Sequence, residues 1–225
     1  MTAAEPHEKR WRRRPEERPR QIIDAALEVF GEHGLAAARL EDIAHRAGVS
    51  KGTIYLYFPN KETLFREMIR QRVAEMIIRA EQSVVATGGT ASTRLRAYAR
   101  LLWSHVRAPM FQRLYRLVNG ELRQFPGLFE FFMREVPARN MAVIAGIVRH
   151  GIDTGEFRRI DDSVAARMFQ VLVLNHGVWC AERERIPFLA HLSDDAVLEQ
   201  LLDFYLHAIL ATGTAPSAHS VGAHE

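Results

Sequence analysis

The sequence predicts an all-α protein in two parts, a small N-terminal three-helix unit and a larger C-terminal helical body. Three observations carry this. Apolar residues recur at three- and four-residue spacing in almost every segment, and no alternating run is long enough to argue for a strand. Glycine and proline clusters cut the chain into lengths suited to helices. Residues 40–61, LEDIAHRAGVSKGTIYLYFPNK, read as two short helices around a tight glycine turn, an arrangement suited to laying a helix in the DNA major groove.

Composition bounds the alternatives. With 225 residues, of which 48% are hydrophobic and 25% charged, the chain is long enough and apolar enough to bury a core. A net charge of +3 excludes a polybasic nucleic-acid coat. One cysteine, Cys180, excludes an internal disulfide and a zinc cluster, and reads as a small buried hydrophobe. No continuous apolar segment suggests a signal peptide or a membrane span, so a cytoplasmic protein is expected. The histidines His45, His105, His150, His176, His191 and His207 are scattered. There is no His-Glu-x-x-His pattern, no clustered carboxylates and no glycine-rich phosphate loop, so neither an enzyme nor a cofactor is expected.

Residues 1–18 form a polar arm with the cluster Lys9, Arg10, Trp11, Arg12, Arg13 and Arg14. Two readings stand: a solvated arm, or one whose arginines enter a narrow minor groove, with Glu16 and Glu17 diluting the charge. The first helix is predicted over 19–33. Ile22, Ile23, Ala26, Leu27 and Phe30 share one stripe, and Gly34 is the stop.

In the paired helices that follow, each residue type has a geometric reason. Ala44 is small where two helices cross. Gly48 permits the positive φ of a sharp turn. Leu40 and Ile43 supply the apolar face of the first helix, and Val49, Ile54 and Phe58 that of the turn and second helix. Ser50 is the expected N-cap of the second. With Ile54 and Phe58 inward, Lys51, Gly52, Thr53, Tyr55 and Leu56 fall on outer or flanking faces, with Tyr57 at the rim. Gly52 allows close backbone approach to a base edge. Thr53 can bond a base or phosphate and touch a thymine methyl, and the two tyrosine hydroxyls can reach phosphates. Lys51, Lys61 and Arg39 each stand at a helix N-terminus, the positive end of the helix dipole. Such placement makes sense where a phosphate docks.

The segment GVSKGTIYLYFPNKETLF, preceded by LEDIAHRAG, resembles the DNA-binding domain of the TetR/AcrR family of bacterial transcription regulators. The resemblance covers residues 20–68 and implies a dimeric all-α repressor with an N-terminal helix-turn-helix DNA-binding domain and a C-terminal regulatory and dimerisation domain. It places Lys51, Gly52, Thr53 and Tyr55 facing bases, and Tyr55, Tyr57 and Lys61 on phosphates. Two positions depart from the pattern. Arg39 replaces a helix-capping hydroxyl and gains the option of a DNA contact, and Leu56 replaces a polar or aromatic residue. The expected divisions are an arm over 1–18, a reader over 19–65, a ligand-binding and dimerisation domain over 66–212, and a polar tail over 213–225.

Beyond the motif, a long helix is predicted over 60–86, with Leu64, Phe65, Met68, Ile69, Val73, Met76 and Ile77 inward. The run Thr87-Gly88-Gly89-Thr90 breaks it. Further helices are predicted over 92–106, 110–123, 127–150, 162–185 and 194–212. The breaks are Pro109, Phe125-Pro126-Gly127, the turn at 151–155 and Ile186-Pro187. The last two helices carry wide apolar stripes: Val164, Met168, Val171, Leu172, Asn175 and Trp179 on one, Val197, Leu198, Leu201, Leu202, Tyr205 and Ile209 on the other. Core packing is the default for such stripes. The resemblance instead implies a four-helix homodimer interface, holding two readers about 34 Å apart on a palindromic operator. It also implies an apolar pocket for a hydrophobic small-molecule effector, with candidates Trp103, Phe111, Tyr115, Phe129, Met133, Met168, Asn175, His176 and Trp179. An activator, or a DNA-binding protein without an effector, is the alternative, because operator position decides between repression and activation.

Overall fold

Helices follow the apolar spacing through both parts of the chain. The structure, a computed structural model, describes residues 18–183 and 193–211. The basic cluster Lys9 to Arg14, the Ile186-Pro187 break, His191 and the 213–225 tail lie outside the described residues, as do the side chains of Val73, Met76 and Ile77. The described part is all-α, apart from one isolated bridge between Phe157 and Leu210. Among the described residues no helix is long and apolar enough to cross a membrane.

The chain divides into two compact units, Met1–Met68 and Ile69–Glu225. In the first, α1 (Arg18–Ala37) buries the expected stripe together with Ala25, Val29 and Leu35. Gly34 breaks the helical path where a stop was expected, at φ 78° and ψ 166°, and a further short helical turn follows to Ala37. Next come α2 (Leu40–Arg46), α3 (Lys51–Tyr57) and α4 (Lys61–Thr87), and α4 contributes to both units. Leu64, Phe65 and Met68 of α4 close the core of the first unit, and the Phe65 ring meets Phe30 edge-on at 6.2 Å. On the surface, Arg46 bonds Glu28 at 3.2 Å and Glu32 at 2.6 Å, tying α2 to α1.

The second unit holds α5 (Ala91–Val106), α6 (Pro109–Gly120), a 3₁₀ turn (Leu122–Gln124), α7 (Pro126–Glu135), α8 (Pro137–Asp153), α9 (Asp162–Ala181) and α10 (Asp194–Ile209). Several of the predicted boundaries change, and the helix expected over 194–212 ends at Ile209. The helix expected over 127–150 is two, because Pro137 has no N–H for the ladder and takes the first position of a new helix instead. The one expected over 110–123 stops at Gly120 and tightens into the 3₁₀ turn. The one expected to reach 185 ends at Ala181.

Gly151, expected in a turn, lies within α8. A methyl built there would sit 2.2 Å from the Phe157 ring and 2.8 Å from the Ala91 side chain, so only glycine fits. Phe157 is thereby buried, and its segment pairs with the end of α10 through Arg158 N–H to the Ile209 carbonyl at 2.9 Å. The neighbouring Glu156 carboxylate accepts from the free amides of Ala91 and Ser92 at 2.6 and 3.0 Å, capping α5 from 65 residues away.

Candidate nucleic-acid interface

The reading helix is held by its ends and one buried side. Gly48 adopts φ 66°, which turns the chain between α2 and α3. Ala44 is buried, and its carbonyl accepts from Val49 N–H at 2.9 Å. The Ser50 hydroxyl caps α3 by accepting from Thr53 N–H at 3.1 Å. Ile54 and Phe58 bury the inner face. This anchoring leaves one side of a two-turn helix outward, and every residue predicted for that side is on it or at its margin.

Lys51, Gly52, Tyr55 and Leu56 are exposed, and Thr53 and Tyr57 are half-buried. Leu56 is 80% exposed, with no core to fill. A methyl built on Gly52 would meet only the Ser50 hydroxyl, at 3.9 Å. The fold therefore has no steric need for glycine there, although glycine lowers the stability of a helix. The Thr53 hydroxyl lies 2.8 Å from that of Ser50, so the capping hydroxyl and this side chain share a hydrogen bond. The Tyr57 ring rests against Phe58 at 6.4 Å.

The three predicted phosphate cations differ in circumstance. Arg39 is exposed and provides no side-chain cap to α2; its carbonyl accepts from Ile43 N–H at 3.3 Å, while its side chain makes no hydrogen bond or ion pair among the described residues. Lys61 Nζ donates to the Ala36 and Ala38 carbonyls at 2.7 and 3.5 Å, carbonyls left open by the end of α1. Lys51 Nζ lies 2.7 Å from Glu41 Oε1, which also accepts from the Tyr55 hydroxyl at 3.2 Å. The Lys51 hydrogen bond comes first among the causes that hold the Glu41 carboxyl at about 2, and the same contact raises the lysine. Glu41 was not legible as a site residue. Its acid suits the first turn of α2, and only the tertiary turn brings it to side chains 10 and 14 positions on.

The effector candidates do not share one environment. Trp103 is buried in the body core, and its indole N–H has no acceptor among the described residues. Phe111 stacks on Tyr115 with centroids 6.2 Å apart, and Arg123 lies over the Phe129 ring at 5.6 Å. Asn175 is half-buried, and His176 Nδ1 lies 3.0 Å from the Leu172 carbonyl. Met133, Met168 and Trp179 are at the surface of the single chain. Met168 and Trp179 join Val164 and Val171 in an outward apolar stripe along α9, so their shared face is the outside of the body rather than its interior. On α10 the predicted stripe is core: Val197, Leu198, Leu202, Tyr205 and Ile209 are buried, Leu201 packs against them, and Phe204 is the exposed apolar residue.

Comparison with known proteins agrees with this geometry. Residues 22–68 match the family described as "Bacterial regulatory proteins, tetR family", and residues 93–208 match "AefR-like transcriptional repressor, C-terminal domain". The chain is 33% identical over 189 residues to the fatty acid metabolism regulator protein of Bacillus subtilis, covering 81% of this chain and 92% of that one. The solved structure of the transcriptional regulator FadR from Bacillus subtilis in complex with stearoyl-CoA is 29% identical. It covers 81% of this chain and 97% of its own, at a TM-score of 0.67. A TetR-family regulator structure from Mesorhizobium loti shares the fold at 22% identity and a TM-score of 0.72, covering 88% of this chain and all of its own. A capped recognition helix with an outward reading face, matches across both parts of the chain and a relative of this coverage give one conclusion: the chain belongs to the TetR family of DNA-binding transcriptional regulators.

Proposed function

We propose that the protein is a homodimeric repressor of a palindromic operator, released by an effector with a long apolar chain. The observation that carries the DNA part is the open face of α3, where Gly52 has room that the fold does not use and Leu56 stands in solvent. Lys51, Gly52, Thr53 and Tyr55 read bases, with Arg39, Tyr55, Tyr57 and Lys61 on the backbone. The outward stripe Val164, Met168, Val171 and Trp179 on α9, with the exposed Phe204 on α10, supports a dimer face, because burying such apolar side chains against a second copy removes them from water.

The effector class rests on the Bacillus subtilis relatives, one named for fatty acid metabolism and one solved with stearoyl-CoA. A long-chain acyl-CoA is therefore the first candidate. Within the body, the buried and unpaired Trp103 N–H supports a site that offers a donor to an effector acceptor. Since α4 belongs to both units, a change in its tilt would carry the signal, and a coupling of about 1–3 kcal/mol would lower operator affinity several-fold to about a hundred-fold.

The test begins with a duplex selected by the protein from a random-sequence pool. Stearoyl-CoA should release that duplex, and Trp103→Phe should blunt the release while leaving operator binding intact. Selection of non-palindromic DNA, or an operator affinity that acyl-CoA never changes, overturns the corresponding part.

A further inference from the structure

We infer that Glu41 is a specificity-determining residue of the reading surface, withholding Lys51 and Tyr55 from indiscriminate contact with DNA phosphates. The inference rests on the reading of α3 as the groove-entering helix. Its basis is a closed cluster of three side chains from two helices. Glu41 Oε1 is 2.7 Å from Lys51 Nζ and accepts from the Tyr55 hydroxyl at 3.2 Å, and the Lys51 ammonium lies 5.8 Å from the centre of the Tyr55 ring. The cluster is open to an approaching duplex, with the Lys51 side chain 68% exposed.

Charge arithmetic gives the consequence. Lys51 beside Glu41 is a neutral pair, whereas Lys51 alone is a cation on the DNA-facing side. Binding to arbitrary sequence draws essentially all of its free energy from cations that replace counterions on phosphates. Compensating Lys51 weakens that mode directly, and the carboxylate also repels nearby phosphates. Base reading suffers less. An ammonium has three donors and Glu41 engages one, so Lys51 keeps hydrogen bonds for a base edge while its charge is offset. The carboxylate also fixes where the Lys51 and Tyr55 tips lie, so ordering them on a matching sequence loses less entropy. Glu41 thus acts through its two partners as a positioning residue and widens the gap between matched and arbitrary DNA.

The experiment compares wild type, Glu41→Gln and Glu41→Ala on two probes, a duplex selected by the wild-type protein from a random pool and a mixed-sequence duplex. Affinities are measured from about 50 to about 200 mM salt. Both variants should bind the mixed-sequence duplex several-fold more tightly. The slope of log K against log salt should steepen by about 2, one freed cation per protomer at about 0.9 each. The ratio of matched to mixed affinity should fall. In a Lys51→Met background the same exchanges should move the slope by less than half as much. An unchanged ratio and slope overturn the inference, as does an equal effect in the Lys51→Met background, which would reduce Glu41 to a general repulsive charge. If the wild-type protein selects no sequence, the reading of α3 falls and this inference with it. If it selects one and the Glu41 variants behave as wild type, the inference alone falls.

Discussion

The Lys61 ammonium donates to the Ala36 carbonyl across 2.7 Å, pinning the first turn of α4 to the end of α1. The lysine at this helix N-terminus therefore has a structural partner as well as a proposed phosphate. Lys61→Ala should cost about 1 kcal/mol of reader stability, the usual worth of one such hydrogen bond. It should also weaken binding to all duplexes alike, because a phosphate contact carries no sequence information. Thermal melting and binding to two unrelated duplexes read these separately. A changed preference between the duplexes would contradict the assignment.

Gly52 separates stability from function. With open space around its missing side chain, Gly52→Ala should stabilise α3 by up to about 1 kcal/mol. The added methyl should still lower operator affinity, by obstructing the approach of the backbone to a base edge. Melting temperature rising while affinity falls is the expected pair of results. An affinity equal to wild type would remove Gly52 from the interface.

Gly151→Ala should do the opposite to the body. Its methyl would collide with the Phe157 ring, which is held by the pairing of its own segment with the end of α10. Overpacking of this kind costs about 1–3 kcal/mol. Calorimetry should show the loss, and Gly151→Ala melting at the wild-type temperature would mean that the ring moves freely.

The outward stripe of α9 gives a prediction about assembly. Met168→Asp combined with Val171→Asp places two charges on the proposed dimer face without touching the core, since both side chains are more than half exposed. Sedimentation should report a folded monomer, and operator affinity should collapse because two readers are no longer held in register. A dimer that survives both charges would move the interface elsewhere.

Glu41 predicts an acid limb. Its folded pKa of about 2 lies below the ordinary 4.5, so the stabilisation it gives is fully present above about 4.5 and is lost as pH falls toward 2. The stability difference between wild type and Glu41→Gln should be constant above pH 5 and shrink below 4.5. A difference that grows in acid would contradict the Lys51 pairing.

Much of the reader was legible because its determinants are local. The cap at Ser50, the positive φ at Gly48 and the inward spacing of Ile54 and Phe58 involve residues within a turn or two of one another. The α7–α8 break was legible in principle, since Pro137 announces it, but a long apolar pattern concealed it. The pocket candidates were the least legible. An apolar stripe reads the same whether it meets the chain's own core, a ligand or a second copy, and composition does not say which.

By itself, the sequence determined the helical class, the order of the first four helices and the face that α3 turns outward, because helix periodicity and end chemistry act over a few residues. The tertiary structure alone decided that Glu41 meets Lys51 and Tyr55, that Lys61 closes the end of α1, and that Met168 and Trp179 lie outside while Val197 and Tyr205 lie inside. Those outcomes depend on which helix packs against which, a property of the whole fold that no local window of residues contains.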